Sequence, residues 1–153
     1  MVSFQRILLA TDFSEASARA AEHAVMLARK FGAGLHVLHV LETDIPVMSD
    51  SLVYLPPTYF EELENRAAEQ LEQVIARQDR DKLGVTLVMR KGSPFVEIVR
   101  YAREQHMDLI VQGTHGRGAV AHVLLGNVAE KVIRKAPCPV LTVRHLGHEF
   151  SMP

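Results

Sequence analysis

Apolar and polar residues alternate along this chain at two different periods, and the switches between them mark out short strands separated by longer helices. Ile7-Leu8-Leu9-Ala10 is a continuous apolar run, the pattern of a strand covered on both faces. From about Phe13 to Lys30 the apolar positions Ala20, Ala24, Leu27, Ala28 and Phe31 recur at steps of three and four, which predicts a helix stopped by Gly32-Ala33-Gly34. Leu35 to Leu41 reads as a second strand. The rhythm then breaks over Glu42 to Pro57, about sixteen residues rich in Pro, Ser and Asp, longer than most connections in compact domains. Thr58 and Glu61 have capping-box spacing, and the helix they open is expected to run to about Leu83. Phe60, Leu63, Ala67, Leu71, Val74 and Ile75 form its inward stripe and Gly84 its end.

The alternation continues to the C-terminus. Val85 to Met89 is a third strand, and Ser93-Pro94 joins a cap to a proline at the first helical position, where the missing N–H costs nothing. That helix reaches about Gln105, and Leu109-Ile110-Val111 forms a fourth strand. A last helix, near Asn127 to Lys135, leads to a fifth strand, Val140 to Val143. Strands alternating with helices over this length mean an α/β domain, a mostly parallel sheet with helices on both faces. In such sheets ligands sit beyond the C-terminal strand ends, where the strand order reverses. Two strand ends run into polar or glycine-rich loops: Ala10-Thr11-Asp12 and Gln112-Gly113-Thr114-His115-Gly116.

Composition narrows the class without naming it. At 153 residues, 48% hydrophobic and 23% charged, the chain is one domain's worth with enough apolar surface for a core. A formal net charge of −1 supplies no positive field for nucleic acid or anionic lipid. The single cysteine, Cys138, cannot close an internal disulfide, which fits a reducing compartment. The apolar run near the N-terminus is too short for a secretory signal, and no stretch approaches membrane-spanning length, so a soluble cytoplasmic protein is expected.

The chemistry gathers after the fourth strand, at Gly113-Thr114-His115-Gly116-Arg117-Gly118 and then Gly126-Asn127-Val128-Ala129-Glu130. Glycine lets backbone approach a ligand and can turn successive N–H groups toward one point, which a phosphate chain requires. Asn127 and Glu130 have capping-box spacing, so the helix is expected to start at Asn127 with free amides facing outward, a ready anion site. A tight turn at Gly113 and Gly116, with Gly126 merely preceding a capped helix, explains the glycine spacing alone equally well.

Here the sequence resembles the universal stress protein (UspA-like) family. Gly113-x2-Gly116-x9-Gly126 followed by a small polar residue is similar to that family's nucleotide-binding signature. The likeness extends to Ile7 through Ser14, to Asp108-Leu109-Ile110-Val111, and to Ala136-Pro137-Cys138-Pro139-Val140-Leu141. It implies one doubly wound, Rossmann-like domain over residues 1–147, with a tail at 148–153, and a five-stranded parallel sheet of order 3-2-1-4-5. It also implies ATP, or ADP or AMP, between strands one and four, with magnesium as a companion of the phosphates. Ala10, Thr11 and Asp12 would line the adenosine side, Asp12 near the ribose, and Val40 would touch the base. Gln112, Gly113, His115 and Gly116 would follow the ribose and phosphates, and Gly126, Asn127, Val128 and Ala129 would close the phosphate end; Arg117, read from its place in the loop, is a solvent-facing charge that helps neutralise phosphates. The family signature has Ser or Thr where this chain has Asn127, and the bulkier amide brings ADP and AMP in beside ATP.

Other residues weigh less. Asp12, with Glu15 three positions on, also fits a plain N-cap of the first helix. His36 and His39 stand at odd spacing in a strand, on opposite faces, and cannot chelate together. His145 and His148 read as solvated tail residues, and Cys138 as a packed turn residue. Gly116-x-Gly118-x-x-Ala121 fits a dinucleotide fingerprint, but no acidic residue stands about twenty positions on, and no P-loop exists. With Asp12 and Glu130 both explained as caps, binding is expected, not turnover. Val140–Val143, last in the chain, should be an edge strand through which two copies pair as a homodimer. The rival is a stress-response dimer that binds no nucleotide and works through protein partners.

Overall fold

The computed structural model describes residues 1–43, 56–114 and 125–145. Five strands, β1 (Arg6–Ala10), β2 (Gly34–Leu41), β3 (Thr86–Lys91), β4 (Leu109–Gly113) and β5 (Val140–Val143), form one sheet in the order β3-β2-β1-β4-β5. Every neighbouring pair is parallel. The helices are α1 (Glu15–Phe31), α2 (Pro57–Gln73), α3 (Arg77–Leu83), α4 (Pro94–Glu104) and α5 (Asn127–Lys135). This is the doubly wound architecture the alternation implies. No described helix is long and apolar enough to cross a membrane.

β1 lies at the centre, so both of its faces must be apolar, and Ile7, Leu8 and Leu9 are completely buried. On one face Ile7, Leu9, Leu35, Val37 and Val111 pack beneath α1 and the C-terminal part of α2. On the other, Leu8, Leu38 and Ile110 meet Ile98 and Tyr101 of α4 and Val132 of α5. Each large apolar side chain so buried contributes roughly 1.5–3 kcal/mol. α1 presents a stripe of alanines to the sheet, Ala16, Ala20, Ala21, Ala24 and Ala28, and these small side chains let it lie close. At the opposite end of the sheet, Asp108 accepts from the amides of Gln5 and Arg6 at 2.8 and 2.9 Å, clipping the start of β1 to β4.

Several local expectations are corrected. The N-cap of α1 is Ser14, whose side chain accepts from Ser17 N, and Asp12 stands one turn earlier. The helix expected from Thr58 to Leu83 starts instead at Pro57 without a side-chain cap and breaks into α2 and α3 around Ala76. Ile75, on the expected inward stripe, lies just before α3 and is buried at 2% exposure. The cap of α5 is Gly126, so Asn127 is its first helical residue. Glu130 pairs with Arg134 at 2.9 Å, and no capping box forms at that helix start. His145 is held too, with Nε2 2.7 Å from the Glu15 carboxylate. As expected, β5 takes an edge of the sheet, and Cys138 packs against the α4 side of the core. Burial and the nearby Asp108 charge push its thiol pKa up, which disfavours the thiolate.

Candidate functional site

Strand order reverses between β1 and β4: β1 leads by way of α1 to β2 on one side, and the chain returns from β3 by way of α4 to β4 on the other. Their C-terminal ends are adjacent, with Leu9 opposite Val111, so the turns that leave them face one another. This is where a doubly wound sheet opens a crevice.

The β1 side is built by the turn Thr11–Ser14. Thr11 is buried and its amide still donates to Leu38 O at 2.9 Å. Its hydroxyl accepts from the Phe13 amide at 3.1 Å and lies 3.1 Å from the Ser17 hydroxyl, which donates to Ser14 O. Asp12 Oδ1 accepts from the Ser14 amide at 3.0 Å, an Asx turn. Phe13 has φ of 64°, a left-handed conformation that an aromatic residue holds only when its surroundings impose it. The Phe13 ring stacks on His39 of β2 at 4.2 Å, and His39 Nδ1 lies 2.9 Å from Thr11 O. Val40 follows, buried in the α4-side core, two positions past Leu38, the partner of Ala10.

The β4 side is built by Gln112, Gly113 and Thr114. Gln112 is buried and its side-chain amide donates to Ala129 O at 3.1 Å, tying the start of α5 to the sheet. A Cβ on Gly113 would fall 2.8 Å from two atoms of Ala16 and 2.9 Å from Ser17 N, so glycine is required there by the approach of α1. Thr114 N donates to Val143 O and Thr114 O accepts from Gly126 N at 2.7 Å, which brings the two ends of the intervening segment together. His115, Gly116 and Arg117 lie outside the described residues.

At the start of α5 the Gly126 amide is thus already occupied. The next three, of Asn127, Val128 and Ala129, have no acceptor among the described residues, and no side chain caps the helix. Asn127 and Val128 are exposed and Ala129 is buried. A helix start of this kind carries about half a positive charge. Among the described residues no three His, Cys, Asp or Glu side chains gather into a metal site. The odd spacing of the two β2 histidines holds: His36 meets the Tyr101 hydroxyl of α4 at 2.7 Å, while His39 faces Phe13 on the other side. Burial, with the Arg6 charge, lowers the His36 pKa. Of the residues that complete the turn, Phe13, Ser17 and His39 carry no local sequence signal for that role.

A parallel 3-2-1-4-5 sheet whose order reverses between β1 and β4 defines a doubly wound, Rossmann-like α/β protein. Within that class the chain belongs to the universal stress protein family, whose model matches residues 3–144. It is 40% identical to a universal stress protein of Thermus aquaticus over 92% of this chain and 99% of that one. Its fold is similar to that of UspA from Lactobacillus plantarum, with TM-score 0.77, 26% identity, and 94% and 100% of the two chains covered. Two further universal stress proteins share the fold at 24% identity. One, crystallised in complex with cAMP, has TM-score 0.68 and covers 93% of this chain and 98% of its own. The other, from Archaeoglobus fulgidus in complex with dAMP, has TM-score 0.59 and covers 94% and 99%.

Proposed function

We propose that this protein binds an adenine nucleotide across the C-terminal ends of β1 and β4 and serves the stress response as a binding module, not as an enzyme. The observation that carries the reading is the uncapped start of α5, where the amides of Asn127, Val128 and Ala129 have no acceptor among the described residues. Three N–H groups at the positive end of a helix call for an anion, and the phosphate end of a nucleotide is that anion. Ala10, Thr11 and Asp12 then take the nucleoside side, with Val40 toward the base. His115, Gly116 and Arg117 are assigned to the phosphates on the sequence pattern. Two universal stress proteins that share the fold were solved in complex with cAMP and with dAMP, which supports this reading. The assignment to this chain rests on its own residues.

With Asn127 in place of a hydroxyl side chain, ADP and AMP stand beside ATP as ligands. Magnesium would arrive on the phosphates, since no described set of side chains gathers into a cage for it. Binding is preferred to turnover because the nearby carboxylates have structural duties: Asp12 accepts from Ser14 N, and Glu130 pairs with Arg134. The same reading takes the protein as a cytoplasmic homodimer joined through β5.

A melting scan with ATP, ADP, AMP and NAD tests the assignment. A ligand at one hundred times its dissociation constant adds roughly 2.7 kcal/mol of stability. In a domain of this size that raises Tm by on the order of 5–10 °C. A rise with adenine mononucleotides but not NAD is expected. Asn127→Pro sharpens the test: Gly126 already has φ −68° and ψ 155°, as a residue before proline requires, and proline suits the first helical position. The variant removes one amide and keeps the helix. Losing a hydrogen bond to a charged group costs about 1.5–3 kcal/mol, so the rise should shrink by roughly half or more. No rise with any nucleotide would favour the dimer that works through protein partners alone.

A further inference from the structure

β1 ends at Ala10, and the manner of its ending depends on a residue from the neighbouring strand. The Thr11 amide still pairs with Leu38 O, but its carbonyl is met by His39 Nδ1 at 2.9 Å. A carbonyl can only accept, so Nδ1 carries the hydrogen and the imidazole is the donor. The same ring lies against Phe13 with an interplanar angle of 29° and centroids 4.2 Å apart. His39 therefore grips the turn twice, at the carbonyl before Asp12 and at the ring after it. Between those two grips the backbone passes through the left-handed conformation of Phe13, φ 64°. Left to itself an aromatic residue leaves that region, and Asp12 would swing with it.

We infer that His39 is a positioning residue for the nucleoside side of the site: it holds the Thr11–Phe13 turn in the conformation that sets Asp12 toward the crevice. The inference rests on the nucleotide reading above and extends it to a residue of the neighbouring strand, outside the set assigned to the nucleotide. Because the carbonyl bond needs only Nδ1–H, it survives whether or not the second ring nitrogen is protonated. Because the stack needs only a flat ring, the two grips can be removed separately. His39→Phe keeps a ring against Phe13 and loses the donor. His39→Asn places an amide N–H near the position of Nδ1 and loses the ring. His39→Ala loses both.

The experiment is isothermal titration of wild type and the three variants with adenosine, AMP and ATP, beside their melting temperatures without ligand. Wild type should bind. His39→Ala should weaken adenosine, AMP and ATP by the same factor, tenfold or more, because the phosphate end is untouched. His39→Asn should recover part of that loss, and unliganded Tm should not track affinity across the series. A merely structural role would make affinity follow Tm and would give no rescue by the amide. The inference is overturned if wild type binds and His39→Ala binds equally well, or if its loss grows with phosphate number. Failure of wild type itself to bind any of the three would overturn the nucleotide reading and this inference with it, and is told apart by that control.

Discussion

At Gly113 the atoms that a side chain would strike are mostly backbone atoms of α1, and backbone cannot step aside as the free end of a long side chain can. Gly113→Ala is therefore expected to destabilise the protein by about 1–3 kcal/mol, the usual cost of overpacking. Tm would fall by on the order of 5 °C, measured without ligand; an unchanged Tm would mean that α1 does not lie as close to β4 as described. This glycine was legible in the sequence as loop punctuation, but its reason was not, since the alanine stripe it meets lies about a hundred residues away in the chain. Asp12 shows the same limit. Its spacing to Glu15 fits a cap, yet Ser14 serves that purpose, accepting from Ser17 N, because left-handed Phe13 inserts a turn before the helix. Nothing local announces an aromatic residue at positive φ. The helix start at Asn127 was readable from Gly126 and the residues after it, though the cap falls one residue earlier than the Asn127–Glu130 spacing suggests.

Among the elements, strands were the most legible, since a buried parallel strand is a plain apolar run. Helix ends were less so: Val74-Ile75-Ala76 contains neither glycine nor proline, so nothing local marks the break between α2 and α3. β5 carries a consequence for assembly. Ile110 N donates to Pro139 O and Thr114 N to Val143 O, so the odd-numbered residues of β5 bond to β4. By the alternation of a parallel ladder, Val140 and Thr142 turn their amides to the open edge. An apolar edge with free donors invites a second copy. Sedimentation at micromolar concentration should find a dimer, and Thr142→Pro, which deletes an outward amide and spares the ladder to β4, should yield a folded monomer. A wild-type monomer, or a variant that remains dimeric, would contradict pairing through this strand.

For the molecule as a whole, the switch in strand order concentrates chemistry at one place. α1 and α5 cover opposite faces of the sheet, and the turn that opens α1 and the start of α5 stand beside the adjacent ends of β1 and β4. One start is capped by Ser14 and the other has no side-chain cap. On the proposed reading, that asymmetry separates a nucleoside side from a phosphate side. The most direct test is an NMR titration of isotope-labelled protein with AMP, following the backbone amides of Asn127, Val128 and Ala129. Saturable downfield shifts of these three signals, in step with those of Thr11 and Asp12, are the predicted result. Saturation by AMP with the three α5 amides unmoved, or no saturable change at any amide, would contradict the account.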